Sequence, residues 1–327
     1  MKIRKNIIAL LTAAVITAAI PVSVLAIADN PYIIDKTKDR TEFSSFNDSW
    51  WCYYSDKYNP TKEMVIETEK ASGIALIIPD KVNGNTVIAI KGSIEAPGFI
   101  VNPENEYMTC VDNVVFTKDK KQLMSYAQFD PRTEYTIPEG TEKVLHKAFA
   151  YCDNLEKITI PESLTELDYG AFFCATNLKT IVIPKNSKLK KIGAYSLDET
   201  AMEEICFPSF DISINRAAFS DKPIKLTSYV QPEITKGENE LSWEKIPKAT
   251  YYEVYQKIGK DEYKLLKTTK ATSCIFPTLK SGKDYTFAVK PIAIRPAAYY
   301  NRMKDEGFTK TFTIEGTMSE DIVLTGK

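Results

Sequence analysis

Hydrophobic residues followed directly by proline recur in the middle of the chain at intervals of 23, 23 and 24 residues. Before the last three of these pairs lies a run of the form L-x-x-I-x-I, in which Met and Phe replace two of the apolar residues once. Alternate apolar positions in so short a run predict a β-strand with one buried side. The pairs that define the repeat are Ile137-Pro138, Ile160-Pro161, Ile183-Pro184 and Phe207-Pro208.

A second set of apolar positions lies in the segment that returns from one strand to the next. A single copy cannot bury both sets, so neighbouring copies must stack into a solenoid with a continuous core. The third copy carries a two-residue insertion within Lys185–Lys191. We expect one buried row through the core, formed by Ala148-Phe149, Ala171-Phe172, Ser196-Leu197 and Ala218-Phe219.

The first copy runs I-P-x5-V-x3-A-F-x2-C-x2-L-x2-I and resembles the BspA-like, treponemal-type class of leucine-rich repeats. The resemblance covers residues 137–219. It implies a repeat solenoid and, for some family members, adhesion and contact with a host or matrix. Cys152 occupies a position where the next copies carry Ala175 and Thr200, which predicts a packing role for this small side chain.

Residues upstream of the clear repeats show a weaker form of the same pattern. Ile78-Pro79 resembles the opening of a repeat, and 102–126 resembles the hairpin found between such repeats. The charged residues Lys118–Lys121 are expected at the hairpin tip. Residues 29–73 have no repeat, and we expect them to cap the first coil.

The repeat period ends after Pro223, and short alternating strands follow from Val230 onward. Trp243, the Y-x-V-Y run that starts at Tyr252, and a Leu279…Tyr285 pair resemble a fibronectin type III domain. Residues 296–316 are too long for a tight turn between its last two strands. We expect this excursion either to pack back onto the solenoid or to form a ligand-binding edge, with its own strand near 308–314.

The predicted fold class is mainly β: a leucine-rich-repeat solenoid followed by an immunoglobulin-like (fibronectin type III) β-sandwich. The predicted organisation is a signal peptide at 1–28, an N-terminal cap with degenerate repeats and a hairpin at 29–135, the solenoid at 136–228, and the sandwich at 229–327.

The N-terminus has the three parts of a secretory signal: basic residues at 2–5, an apolar run over 7–20, and an A-x-A pattern at 26–28. A helix of that run would rise about 21 Å, short of the roughly 30 Å hydrocarbon core, so cleavage is favoured over an uncleaved anchor. Cleavage after Ala28 would leave 39 basic and 43 acidic side chains, a net charge of −4. We expect a secreted chain with no membrane span after cleavage, and association with the cell surface is left open.

Composition excludes several kinds of function. The whole chain has 42 basic and 43 acidic side chains, which provide no field for a nucleic-acid backbone. His146 is the only histidine, and no Gly-rich phosphate loop or metal-ligand motif occurs. We therefore expect no catalytic residues, no metal and no cofactor, and regard His146 and Cys152 as ordinary repeat positions. An exported hydrolase remains a remote alternative.

Six cysteines follow the signal, and an even number in an exported chain permits disulfides. Their long, uneven spacing and the packing role of Cys152 favour buried free thiols instead. Both states remain open at this point.

The expected function is recognition or adhesion by a monomer that binds an extracellular protein or glycan. The alternative is a structural spacer without a dedicated ligand. Binding is expected on the outward strand positions of the repeats or on the excursion. The candidate residues are Glu156, Lys157, Thr159, Lys179, Thr180, Val182, Glu203 and Glu204 on the strands, and Arg295, Tyr299, Tyr300 and Arg302 beside or within the excursion.

Overall fold

A computed structural model describes residues 41–44, 49–54, 63–67, 75–82, 85–90, 94–219, 222–298 and 310–326. All regular structure in these ranges is β, as the sequence predicts. The same ranges contain no helix with the length and hydrophobicity of a membrane span. The predicted signal peptide lies outside them.

The described N-terminal strands form two small sheets. One has the order β1-β2-β3-β6-β5, with β3 and β6 parallel; the other pairs β4 with β7, also parallel. These parallel pairs precede the solenoid coils. The strands are β1 (Thr41–Ser44), β2 (Ser49–Tyr54), β3 (Glu63–Glu67), β4 (Leu76–Ile78), β5 (Lys81–Val82), β6 (Asn85–Ile90) and β7 (Phe99–Val101).

The predicted hairpin is present. β8 (Met108–Val111) and β9 (Val114–Thr117) are antiparallel, and β9 pairs in turn with β10 (Gln122–Tyr126). Asp112 and Asn113 turn between β8 and β9 with φ values of 49° and 63°, a conformation that Asn and Asp tolerate better than most residues. The charged tip at 118–121 joins β9 to β10, as predicted.

The solenoid is built from two series of parallel strands. Ladder A contains the three L-x-x-I-x-I strands and one strand on each side of them; the first three strands pair in one sheet and the last two in another. They are β11 (Glu134–Thr136), β13 (Lys157–Thr159), β15 (Thr180–Val182), β17 (Glu204–Phe207) and β19 (Lys225–Ser228). Ladder B extends β10 through β12 (Lys143–Val144), β14 (Glu166–Leu167), β16 (Lys191–Ile192) and β18 (Ser213–Ile214).

The predicted buried row runs through the core between the ladders. Phe149 and Phe172 have no exposed surface, and their rings stack with centroids 4.9 Å apart. The small-residue position is buried in each copy, at Cys152, Ala175 and Thr200. The register derived from the repeat is therefore confirmed, because residues separated by one period contact each other across the coils.

The C-terminal strands form two facing sheets. β20 (Ile234–Lys236), β21 (Glu240–Trp243) and β24 (Ser273–Ile275) make one. In the other, β22 (Tyr251–Lys257) lies between β23 (Tyr263–Thr269) and the long β25 (Asp284–Pro296), and β27 (Ile322–Thr325) pairs with one end of β25. Trp243, Val254 and Phe287 are buried between the sheets.

The excursion rejoins the solenoid. After β25, Ala298 pairs in parallel with Asn215 at the end of ladder B. β26 (Thr311–Gly316) then pairs in parallel with β19, so ladder A continues into the C-terminal sheet. A Cβ at Gly316 would lie 2.5 Å from Pro291 Cγ, so this close approach requires glycine.

One hydrophobic core spans this junction. Phe312 and Ile314 of β26 are buried in the same cluster as the solenoid row, and the Phe312 ring meets Phe219 edge to face at 5.9 Å. The two described ends of the excursion thus pack on the solenoid, in line with the first of the two expectations for these ends, and the strand begins three residues later than predicted. Residues on both sides of residue 228 contribute to this core.

Candidate functional site

The structure places the strand-face candidates on one side of ladder A. β13, β15 and β17 each bury one isoleucine, while the residues beside it point outward. Lys157 lies opposite Thr180, and Thr159 lies opposite Val182. Glu156, Lys179, Thr180, Glu203 and Glu204 are exposed, and Lys157, Thr159 and Val182 are half-buried.

Charges on this strand face pair with one another between neighbouring coils. The repeat places Lys and Glu one period apart, which brings them side by side in the parallel ladder. Exposed pairs of this kind contribute little stability, but they reduce the field that a charged partner would meet. The pairs and their N···O distances are Lys157–Glu134 at 2.9 Å, Lys179–Glu156 at 2.8 Å and Lys225–Glu204 at 3.7 Å.

The excursion candidates divide into two groups. Arg295 lies on β25 opposite Phe312 and is half-buried beside the solenoid core. Tyr299, Tyr300 and Arg302 lie outside the described residues. The structure therefore places Arg295, and the prediction for the other three residues stays a prediction.

A cluster of aromatic side chains occurs elsewhere, on the segments that run from ladder B to ladder A. We call these segments, 145–154, 168–177 and 193–201, the arc. Tyr151 and Tyr195 keep 44% and 40% of their surface exposed, although each also contacts another ring. The half-buried rings of His146, Tyr169 and Phe173 lie between and beside them. We call His146, Tyr151, Tyr169, Phe173 and Tyr195 the aromatic surface.

Ring contacts join the aromatic surface across three coils. His146 stacks on Tyr169 at 5.0 Å with an interplanar angle of 10°. Tyr195 meets Tyr169 edge to face at 5.4 Å. Phe173 meets Tyr151 at 5.7 Å and Tyr195 at 6.4 Å, in both cases nearly perpendicular. The rings form one contiguous patch, because each touches a ring of the next coil.

The arc backbone holds two of these tyrosines in the left-handed region. Tyr151 has φ 57° and Tyr195 has φ 55°. In the neighbouring coil the position equivalent to Tyr195 is Gly170, with φ 61°, which is the residue that this conformation favours. A bulky ring there is uncommon and strained, so the two tyrosines are not explained by backbone stability.

Sequence reasoning did not identify the aromatic surface. Its residues occupy variable positions of the repeat, so no periodic signal marks them. One such position holds His146 in the first copy, Tyr169 in the second and Ala194 in the third. Grouping the aromatic residues just before and just after each A-F pair would have found them. The left-handed backbone has no sequence signature here, since Lys, Gly and Tyr share one position.

Packing contacts surround Cys152 and the histidine. Cys152 is buried and its thiol donates to the Ala150 carbonyl at 3.7 Å, while the His146 ring stacks on Tyr169. The five cysteines whose side chains are described are free. Burial raises the pKa of the Cys152 thiol and raises that of Cys110 to about 11, so both stay protonated at neutral pH.

Comparisons with known proteins agree with the repeat. Residues 110–241 match the family model described as "BspA type Leucine rich repeat region", in six copies. No curated protein matches this chain.

Three solved bacterial structures are similar. The pneumococcal vaccine antigen PcpA is 18% identical with a TM-score of 0.37, and the match covers 51% of this chain and 54% of that one. A leucine-rich repeat protein of Eubacterium ventriosum is 24% identical, with a TM-score of 0.35 and coverage of 50% and 46%. A leucine rich cell surface protein of Faecalibacterium prausnitzii is 19% identical, with a TM-score of 0.38 and coverage of 48% and 42%. The match spans about half of each solved chain.

Within the described ranges, no three His, Cys, Asp or Glu side chains converge in a way that would hold a metal ion.

Proposed function

We propose that this chain is an exported, non-enzymatic recognition protein that binds an extracellular protein or glycan through its repeat solenoid. The aromatic surface carries this proposal. Exposed Tyr151 and Tyr195 belong to a residue type that is enriched at protein interfaces, and they occupy backbone positions where they do not favour folding. This chain matches a leucine-rich-repeat family model, and one of the solved structures similar to it is a cell surface protein. Both matches agree with an interaction role at the cell surface.

The proposal includes a fibronectin type III-type domain in the C-terminal part. Its support is the pair of facing sheets, the buried Trp243 and a hydrogen bond from the Lys280 amide to the Tyr285 hydroxyl at 3.3 Å. That bond resembles the corner in which a tyrosine hydroxyl meets the backbone a few residues upstream. In this arrangement the domain caps the solenoid, because β26 covers the last coil.

A structural spacer remains the second candidate function. It is favoured by the ion pairs of the strand face, which pair the charges that a partner would otherwise meet. A spacer does not require aromatic side chains at strained, half-exposed positions.

Binding to immobilised matrix proteins and cell-wall glycans distinguishes these functions. We expect saturable binding to one member of the panel and a loss of affinity of about five-fold or more for Tyr151→Ser. Tyr107→Ser is the matched control, because Tyr107 on the hairpin is 42% exposed, close to the 44% of Tyr151. Binding by no member, or equal losses for both variants, would favour the spacer.

Export predicts a defined mature N-terminus. Mass spectrometry of the secreted chain is expected to find Asp29 first, or Ile27 if cleavage follows Ala26. An exported chain that still begins with Met1 would show that the segment is an anchor or is retained.

A further inference from the structure

One ring of the aromatic surface, Phe173, contacts two tyrosine rings and also lies near a cation. The rings of Tyr151 and Tyr195 stand at 88° and 82° to the ring of Phe173. The Lys147 ammonium lies 5.7 Å from the Phe173 centroid, within cation–π range. The Phe173 ring, which both tyrosines contact, is therefore electrostatically suited to a positive charge.

Acidic residues lie around the same rings. Burial raises the pKa of the Cys174 thiol, and the negative charges of Glu199, Asp198 and Asp153 raise it further. Cys174 follows Phe173 directly, so these carboxylates contribute a negative potential at the rings. Lys147 is the one basic side chain with a described ring contact at this position. The surroundings thus favour a cationic ligand over an anionic or neutral one.

We propose that the aromatic surface binds a lysine or arginine side chain of a polypeptide partner, seated against Phe173 between Tyr151 and Tyr195. This inference rests on the proposed recognition function and specifies its partner as a basic protein segment. Lys147 occupies the ring face in the free chain and must move aside or share it when the partner binds. The net charge of −4 expected after signal cleavage adds long-range attraction for such a partner.

Oligolysine is the probe for this proposal, with oligoglutamate and a neutral oligosaccharide as controls, titrated into the exported chain at physiological ionic strength. We expect oligolysine alone to bind. Tyr151→Ser and Tyr195→Gly are each expected to weaken it about three- to ten-fold. Neither change alters net charge, so non-specific attraction is the same in all three proteins. Glycine suits the left-handed backbone at residue 195, which protects folding of that variant.

Removing the internal cation gives the opposite effect. Lys147→Gln is expected to strengthen oligolysine binding by about three-fold or more, because it clears the Phe173 ring. Lys236→Gln, at an exposed position on β20, makes the same change in net charge and is expected to alter affinity less. Equal gains for the two variants would show that only net charge matters and would overturn the proposal.

The proposal is also overturned if Tyr151→Ser and Tyr195→Gly bind oligolysine as the wild type does, or if only a small quaternary ammonium ion binds. If oligolysine fails while a neutral glycan binds and Tyr151→Ser abolishes that binding, the partner class is wrong but the recognition function stands. If neither oligolysine nor any panel member binds, both fail.

Discussion

Replacing Ile314 by Asp is expected to destabilise the solenoid and the two C-terminal sheets together, by more than about 4 kcal/mol. Ile314 lies on β26 with no exposed surface, in a core cluster that also contains Phe172 and Phe219. A carboxylate there would be buried without a partner. Hydrogen exchange should show faster exchange of amides both in the arc, at Leu197, and in the C-terminal sheets, at Val254.

Ile275→Asp is the matched control, because Ile275 lies on β24 in the same module and is 64% exposed. It is expected to change stability by less than about 0.5 kcal/mol. If Ile314→Asp accelerates exchange only in the C-terminal sheets and leaves Leu197 protected, the solenoid and the C-terminal sheets fold separately. The shared core would then not couple them. Phe312→Ala, a milder change in the same cluster, tests the same point if the first variant does not fold.

Phe172→Ala is expected to reduce the free energy of unfolding by about 3–5 kcal/mol. The Phe172 ring is fully buried and stacks on Phe149 of the preceding coil, so its removal leaves a cavity between two coils. Because each coil is held mainly by its neighbours, the adjacent coils should also loosen. Denaturant unfolding gives the stability change, and hydrogen exchange gives its spread.

Phe129→Ala provides the contrast, since Phe129 is 52% exposed. Its expected cost is within about 1 kcal/mol, because little apolar surface returns to water. A loss below about 1 kcal/mol for Phe172→Ala would show that the assigned register of the repeat is wrong.

The repeat core could be predicted from the sequence because packing requires a large apolar residue at the same position of every copy. Phe149, Phe172 and Leu197 occupy that position in three successive copies. The ion pairs of the strand face follow the same period, and Glu156 and Lys179, which are 23 residues apart, could have been paired in advance. Each strand taken alone indicates a strongly charged face, because the pairing of its charges with those of the neighbouring coil is not visible within one strand.

The junction could be predicted only in part. The length of the excursion indicated that it had a separate role, but its pairing with β19 joins residues almost ninety positions apart and leaves no periodic trace. The need for glycine at residue 316 follows from its contact with Pro291, and the sequence does not reveal that contact. The aromatic surface was missed because its geometry depends on left-handed backbone at Tyr151 and Tyr195, which spacing does not reveal.

The central claim is that recognition takes place on the arc and not on the strand face. The most direct test measures binding of two double variants, side by side, to the panel member that the wild type binds best. Tyr151→Ser with Tyr195→Gly changes the arc, and Glu156→Gln with Lys179→Gln removes one strand-face ion pair without changing net charge. We predict a loss of about ten-fold or more for the arc variant and a change within about two-fold for the strand-face variant. The reverse order of losses would contradict the account.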